Sequence, residues 1–221
     1  LDVLVGAPGR DVPLNSQGAA YVLYGPFLGT VPLSSAAAVL LGGDEDEQQG
    51  LALAGAGDLN DDGFGDVLVG APGATGLAGA ESGQVRAYYG PLAGVTPAVS
   101  ASVQVAGEAA GDLLGRALWG PCDIDGDGGW DLLVGAPLAD ADGVDSGSAH
   151  VFYSPLQAQE SPSADDHSYV GIGIGDHSSS ALACGDFDLD GLSDVVVGAP
   201  YHDGTGADAG VVFVQLGSSL P

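Results

Sequence analysis

The triplet that closes LDVLVGAP recurs at a nearly fixed distance along the chain. The GAP triplets end at Pro8, Pro72, Pro137 and Pro200, giving intervals of 64, 65 and 63 residues. Such a period constrains the fold more than any single residue, because each repeat must be one supersecondary unit that buries its apolar face against the next. Every unit follows one order. A run of small residues (LALAGAG at 51–57, RALWG at 116–120, ALACG at 181–185) leads into an aspartate-rich loop. A strand pattern follows (DVLVG at 66–70, DLLVG at 131–135, DVVVG at 194–198) and ends at GAP. After a polar loop the unit resumes at a glycine, as GAAYVLYG from Gly18, GQVRAYYG from Gly83, GSAHVFYS from Gly147 and GVVFVQLG from Gly210. A fourth apolar stretch closes it at AAAVLLGG (36–43), SVQVAG (102–107) and YVGIGIG (169–175).

These runs are short, rich in Val, Leu and Tyr, and bounded by Gly, Pro, Asp or Asn, which is strand syntax. With 39 glycines, 13 prolines and few helix-forming side chains, the chain reads as all-β. Four short strands per unit is the arithmetic of a β-propeller blade. The Ala/Gly-rich first strand suits the crowded innermost position, and the larger Tyr, Phe and Val side chains are expected between neighbouring blades. Counting strands gives three, four, four and three, or about three and a half four-stranded blades. The expected units are 1–50 (partial), 51–115, 116–178 and 179–221 (partial) within one domain, 1–221. Joining the ends would duplicate two strands, so either further blades or a second copy of the chain is expected to cover the open edges. Two such halves sum to seven blades. The absence of methionine and the start inside a strand pattern suggest a processed or excised piece.

Thirty acidic residues face three basic ones, for a formal charge of -27, and self-repulsion of that size calls for cations. Arg10, Arg86 and Arg116 provide no basic footprint for a phosphate backbone, so nucleic acid is excluded and anionic membrane is a poor partner. No stretch is long and apolar enough for direct membrane insertion.

The acidic loops have a ligand pattern. The first offers Asp58, Asn60, Asp62, the main-chain carbonyl of Phe64, and Asp66; the second Asp123, Asp125, Asp127, the carbonyl of Gly129, and Asp131. The third offers Asp186, Asp188, Asp190, the carbonyl of Leu192, and Asp194. Alternate side chains in a tight loop converge on one centre, and Gly63, Gly128 and Gly191 at the sixth position permit the turn. Oxygen-only ligation of this kind suits Ca²⁺, and three complete sites are expected. An EF-hand would place Glu at the twelfth position between helices; here that position is Val69, Val134 or Val197, inside a strand. An acidic, Asx-rich turn without metal is the alternative reading of one such loop. Three copies in fixed register favour metal, and three ions would bring -27 to about -21.

The pattern of acidic loop, strand and GAP resembles the FG-GAP repeats of the seven-bladed integrin α-subunit propeller. The resemblance spans essentially the whole chain. It implies calcium on the three ligand sets, an extracellular or cell-surface location, and a structural or adhesion role with a protein or carbohydrate partner. Asp2 matches only the ninth-position ligand of a truncated site. The phenylalanine-glycine half of the motif is replaced by Gln49-Gly50, Leu114-Gly115 and Ser178-Ser179. Two units carry one extra residue between that pair and the loop, and a local strand irregularity is the expected cost. The alternative function is a non-catalytic binding domain attached to a secreted hydrolase, since some hydrolases carry such repeats beside a catalytic domain.

The calcium loops and the turns after the third strand are expected on one face. The GAP-following loops and blade-to-blade connections, with Asp44, Glu45, Asp46, Glu47, Glu108, Asp112 and Asp176 and with Asp140, Asp142, Asp145, Asp203 and Asp208, are expected on the other, which is either a solvated face or a surface for a basic or cation-bridged partner. His150 reads as a packed strand residue, and His177 or His202 as a weak candidate base; no G-x-S-x-G elbow supports catalysis. Trp119 and Trp130 read as blade packing, with screening of the second loop's metal as the alternative for Trp130; Tyr24, Tyr88, Tyr89 and Tyr153 read as blade packing, with a carbohydrate platform as the alternative. For Cys122 and Cys184, plain packing is the first reading and an inter-repeat disulfide the second.

Overall fold

The computed structural model describes residues 2–11, 14–76, 78–204 and 206–217. They form sixteen strands in four sheets, with helix limited to three short 3-10 turns. The first sheet contains β1 (Val3–Ala7), β2 (Ala19–Leu23) and β3 (Ala38–Leu41). The second contains β4 (Leu53–Gly57), β5 (Asp66–Ala71), β6 (Gln84–Tyr88) and, beyond an intervening β7 (Gly94–Pro97), β8 (Val103–Ala106). The third contains β9 (Ala117–Cys122), β10 (Asp131–Ala136), β11 (Ser148–Phe152) and, after a two-residue β12 (Gln159–Glu160), β13 (His167–Val170). The fourth contains β14 (Ala181–Gly185), β15 (Asp194–Ala199) and β16 (Val211–Gln215). The expected three, four, four and three antiparallel strands are therefore present, as consecutive meanders with the architecture of propeller blades.

The core lies between the sheets. Leu40 and Val22 meet Val67, Val69 and Tyr88 across the first interface. At the second, Leu68, Val85 and Leu114 meet Leu132, Val134 and Phe152. Leu133 and Val151 meet Leu182, Val195 and Val197 at the third. Because β5 and β10 are covered on both faces, all six residues of each are buried and their sequences are nearly continuous in apolar character. The GAP glycine has a steric reason. A Cβ on Gly70 would lie 2.1 Å from the carbonyl oxygen of Gly115, where the connection to the next unit crosses β5. Any side chain there would push neighbouring blades apart.

The extra residue in two units appears as strand irregularity. Register shifts between Gly55 and Gly57 in the β4–β5 pair and between Asp131 and Leu133 in the β9–β10 pair, whereas β14 and β15 pair without a break. One inserted residue leaves two positions opposite one, which is a β-bulge.

Three features differ from expectation or were not foreseen. Cys122 and Cys184 are joined by a disulfide, so packing alone, the first reading, is corrected. The innermost strands β9 and β14 run side by side, which brings the two Cα atoms within 6.2 Å, inside bridging range. The fourth strand of the third unit is His167–Val170 rather than 169–175. Gly171 donates its N–H to Gly147 at 2.8 Å and closes the ladder, as Gly107 does on Gly83 at 2.9 Å, and it leaves Ile172 and Ile174 exposed. Finally, β7 pairs in parallel with β3, and β12 with β8. Each is contributed by the loop after the third strand of the following unit, so backbone hydrogen bonds stitch a blade's outer edge to its successor.

Candidate metal centres in the inner hairpin loops

The aspartate that opens each second strand is the fixed point of its loop. Asp66, Asp131 and Asp194 are at most 3% exposed. One carboxylate oxygen accepts a hydrogen bond from the loop's second residue, Leu59, Ile124 or Phe187, at 2.7 Å in every case. The other accepts from the chain just after the third strand, Gly90 at 2.8 Å, Ser154 at 3.1 Å or Gly217 at 2.8 Å. Asp2 keeps the outer half of this arrangement, accepting the N–H of Gly25 at 3.0 Å. The acidic loops and the turns after the third strand thus share one end of the blades.

Above this anchor the loops are shaped by their own acids. The first-position carboxylates curl over the turn: Asp58 accepts the N–H groups of Asp62 at 3.0 Å and Gly63 at 2.8 Å, and Asp186 those of Asp190 and Gly191, both at 3.0 Å. Asp123 accepts from Gly126 at 2.9 Å and Gly128 at 3.2 Å. The sixth-position glycines have φ of +88°, +89° and +97°, a left-handed region that disfavours side chains. The fifth-position acids Asp62, Asp127 and Asp190 accept the N–H of Phe64, Gly129 and Leu192 at 2.9, 2.7 and 2.9 Å.

Carboxylate oxygens of Asp123, Asp125 and Asp131 lie within 4.8 Å of one another, as do those of Asp186, Asp188 and Asp190. Asp127 and Asp194 fall outside these two groups. The first loop forms no three-acid group of this kind among the described residues; Asn60 occupies its third position and donates its amide to Asp62 at 3.0 Å. Burial pushes the Asp131 carboxyl up to about 6, and Asp125 and Asp123 push the same way against the two backbone donors. Asp66 is raised as well, chiefly by burial. Asp194 is lowered, first by the Gly217 N–H, which outweighs its desolvation. An all-oxygen set with clustered, partly desolvated charge fits a hard divalent cation, because bound N–H groups leave further lone pairs on each carboxylate.

Loops two and three touch. Asp123 donates its N–H to the Ser193 hydroxyl at 3.2 Å, and Ser193 returns its N–H to the Asp123 carbonyl at 2.9 Å. The disulfide stands one residue before Asp123 and two before Asp186. Trp130, half-exposed beside the second loop, lies over Gly57 of the preceding unit, where a Cβ would meet its ring at 2.4 Å. Sequence reasoning had Trp130 as blade packing but did not find the Asp123–Ser193 link, for which no pattern signal exists.

The remaining candidates are mostly packed or paired, whereas Trp119 and Tyr24 are exposed. Tyr88 is buried, and Tyr24 exchanges hydrogen bonds with both backbone groups of Leu92 at 3.0 Å, so these rings tie the first two blades together rather than line one platform. His150 bridges Asp165 and Ser148, each at 2.8 Å. That chain resembles a nucleophile relay, but Ser148 is 3% exposed in mid-sheet. His202 pairs with Asp176 at 2.8 Å, and His177 packs edge-on against Tyr201.

The FG-GAP repeat model matches residues 50–88 and 179–214. The chain is 39% identical over 144 residues to integrin alpha-7 of Homo sapiens, covering 63% of this chain and 11% of that protein. It is 33% identical over 169 residues to the phosphatidylinositol-glycan-specific phospholipase D of Rattus norvegicus, covering 70% and 19% respectively. Integrin alpha-IIb of Mus musculus matches at 37% over 140 residues, with 61% and 13% covered. The chain therefore spans less than a fifth of the length of these curated relatives.

Proposed function

Starting from a chain that carries FG-GAP repeats and is homologous to integrin alpha subunits and the glycan-specific phospholipase D, we propose that it is a calcium-binding structural or adhesion module of an extracellular propeller. Its four units would be parts of one domain, with further blades or a second copy completing a ring. The carrying observation is the anchored acidic loop, repeated three times in one register with its buried ninth-position aspartate. Asp58, Asn60, Asp62 and Asp66, with the carbonyl of Phe64, would hold one ion. Asp123, Asp125, Asp127 and Asp131 with the Gly129 carbonyl would hold the second, and Asp186, Asp188, Asp190 and Asp194 with the Leu192 carbonyl the third.

The ion's contribution is charge neutralisation; the chain itself supplies the shape. Each ninth-position aspartate locks the inner hairpin to the third strand, and each first-position aspartate folds the turn over the centre. Metal binding to these ready-made loops stabilises the native state by linkage. Scanning calorimetry in calcium and then in excess chelator tests the reading: a melting temperature several degrees higher in calcium is expected, and an unchanged one overturns it. A binding domain beside a hydrolase is the second reading, favoured by the phospholipase D match. In either setting the module's partner is a protein or a carbohydrate.

A further inference from the structure

The inner strands adjoin at two junctions, β4 beside β9 and β9 beside β14, and the acidic loops they lead into are joined differently at each. The eighth residue of one loop meets the start of the loop before it: Trp130 lies over Gly57, and Ser193 meets Asp123. The first junction is a packing contact. Among the described residues, no hydrogen bond joins loop one to loop two.

The second junction carries two hydrogen bonds and a disulfide. Asp123 donates its N–H to the Ser193 hydroxyl at 3.2 Å and accepts the Ser193 N–H on its carbonyl at 2.9 Å. Just before the loops, Cys122 is bonded to Cys184. Nearer the loop tips, Gly126 sits against Leu192, where a Cβ would meet the leucine side chain at 2.4 Å. These links fall on the ligand frame itself. Asp123 is the first-position acid of loop two, and Ser193 stands between Leu192, which offers the seventh-position carbonyl of loop three, and Asp194, its ninth-position acid. The main chain that places one donor of loop two is therefore fixed to the main chain that places two donors of loop three. An ion that draws either set together orders the shared segment, and the next ion meets a loop with less freedom left to lose.

We propose that loops two and three bind calcium as one cooperative pair, with Ser193 as the positioning residue between them, while loop one binds independently; the proposal rests on the calcium function proposed above. Charge alone gives the opposite sign. Asp186, Asp188, Asp190 and Asp194 carry a formal charge of -4, which one Ca²⁺ lowers to -2, so a filled loop three attracts a neighbouring cation less than an empty one. Emptying loop three therefore strengthens binding at loop two if charge couples them, and weakens it if the shared main chain does.

Trp130, between Gly129 and Asp131, reports on loop two, and Trp119→Phe leaves it the single tryptophan. Calcium titration of that chain by tryptophan emission gives the loop-two midpoint. Asp186→Ala, which disables loop three, is expected to raise this midpoint about fivefold or more. Asp58→Ala removes the same charge from loop one and moves it less than about twofold. Ser193→Ala shrinks the Asp186→Ala shift, and Asp188→Ala disables loop three by a second route should Asp186→Ala not fold. Equilibrium dialysis of the Asp58→Ala chain against calcium is the measurement independent of fluorescence, and an isotherm steeper than that of independent sites is expected. An unchanged or lowered midpoint in Asp186→Ala, an equal shift in Asp58→Ala, a shift untouched by Ser193→Ala, or an isotherm no steeper than that of independent sites overturns the coupling and leaves separate calcium sites. A wild-type chain that takes up no calcium in dialysis overturns the calcium function, and this proposal with it.

Discussion

Asp131 and Ser154 are hydrogen-bonded across the third blade at 3.1 Å, a side-chain clasp between an acidic loop and the turn after β11. The same clasp joins Asp66 to Gly90 and Asp194 to Gly217. It follows that the ninth-position aspartates are structural residues as well as ligands. Asp131→Ala leaves the N–H groups of Ile124 and Ser154 without their acceptor and lowers stability by about 3 kcal/mol even in chelator. Asp125→Ala, on the exposed rim, changes stability in chelator by less than about 0.5 kcal/mol. Urea denaturation of the two variants in chelator checks the contrast.

Calcium stoichiometry separates the three loops. Calorimetric titration of the wild-type chain is expected to give three ions, and Asp186→Ala two. The first loop, with Asn60 in place of a carboxylate, binds more weakly than the other two, and Asn60→Asp strengthens it.

The pH dependence of the metal-free chain has a definite sign. Asp112 and Asp131 rise to about 6 in the fold, against about 3.9 in an unfolded chain. Between these values the native state binds more protons than the unfolded one, so stability falls as pH rises through the window. In chelator the melting temperature therefore increases as pH drops from 7 toward 5. Asp112→Asn flattens part of that increase, and calcium, by holding Asp131 ionised, flattens another part. Asp194, whose shift is downward, opposes the trend only at more acidic pH, where its stabilising contribution is lost.

The disulfide closes a sequence separation of 62 residues. By the chain-entropy relation its removal costs about 4 kcal/mol. A Cys122→Ala/Cys184→Ala double variant measured against the oxidised wild type by urea denaturation checks this value.

Arg86 and Glu47 form a buried ion pair at the first blade interface. Glu47→Gln strands the guanidinium and is expected to destabilise by about 3 kcal/mol or more, whereas the joint Glu47→Leu/Arg86→Leu change costs less. A double-mutant cycle measures the difference.

Much of this was legible in the sequence because the repeat supplies its own control. Strand number and a strand irregularity in the two units that carry an extra residue follow from counting residues against the period; the structure puts the breaks at Gly55–Gly57 and Asp131–Leu133. What escaped depends on contacts between units. GIGIG at 171–175 alternates like a strand, yet Gly171 is the ladder's last member, and only the pairing with Gly147 reveals it. Cys122 and Cys184 look alike in sequence whether bonded or not, since bridging depends on how closely β9 approaches β14. The acidic loops show why the candidate site was readable: alternate oxygen donors around a glycine form a local code. The Arg86 position was not, because its meaning comes from Glu47, 39 residues away.

The parallel strands β7 and β12 give the array a direction in time. During synthesis the edge of β3 stays bare until Gly94–Pro97 leaves the ribosome, and that of β8 until Gln159–Glu160 does. Each of the first two blades is thus sealed by a piece of its successor. An uncovered strand edge is a template for pairing with another chain, so covering each one from the following unit keeps the outer edges of the first two blades from neighbouring molecules.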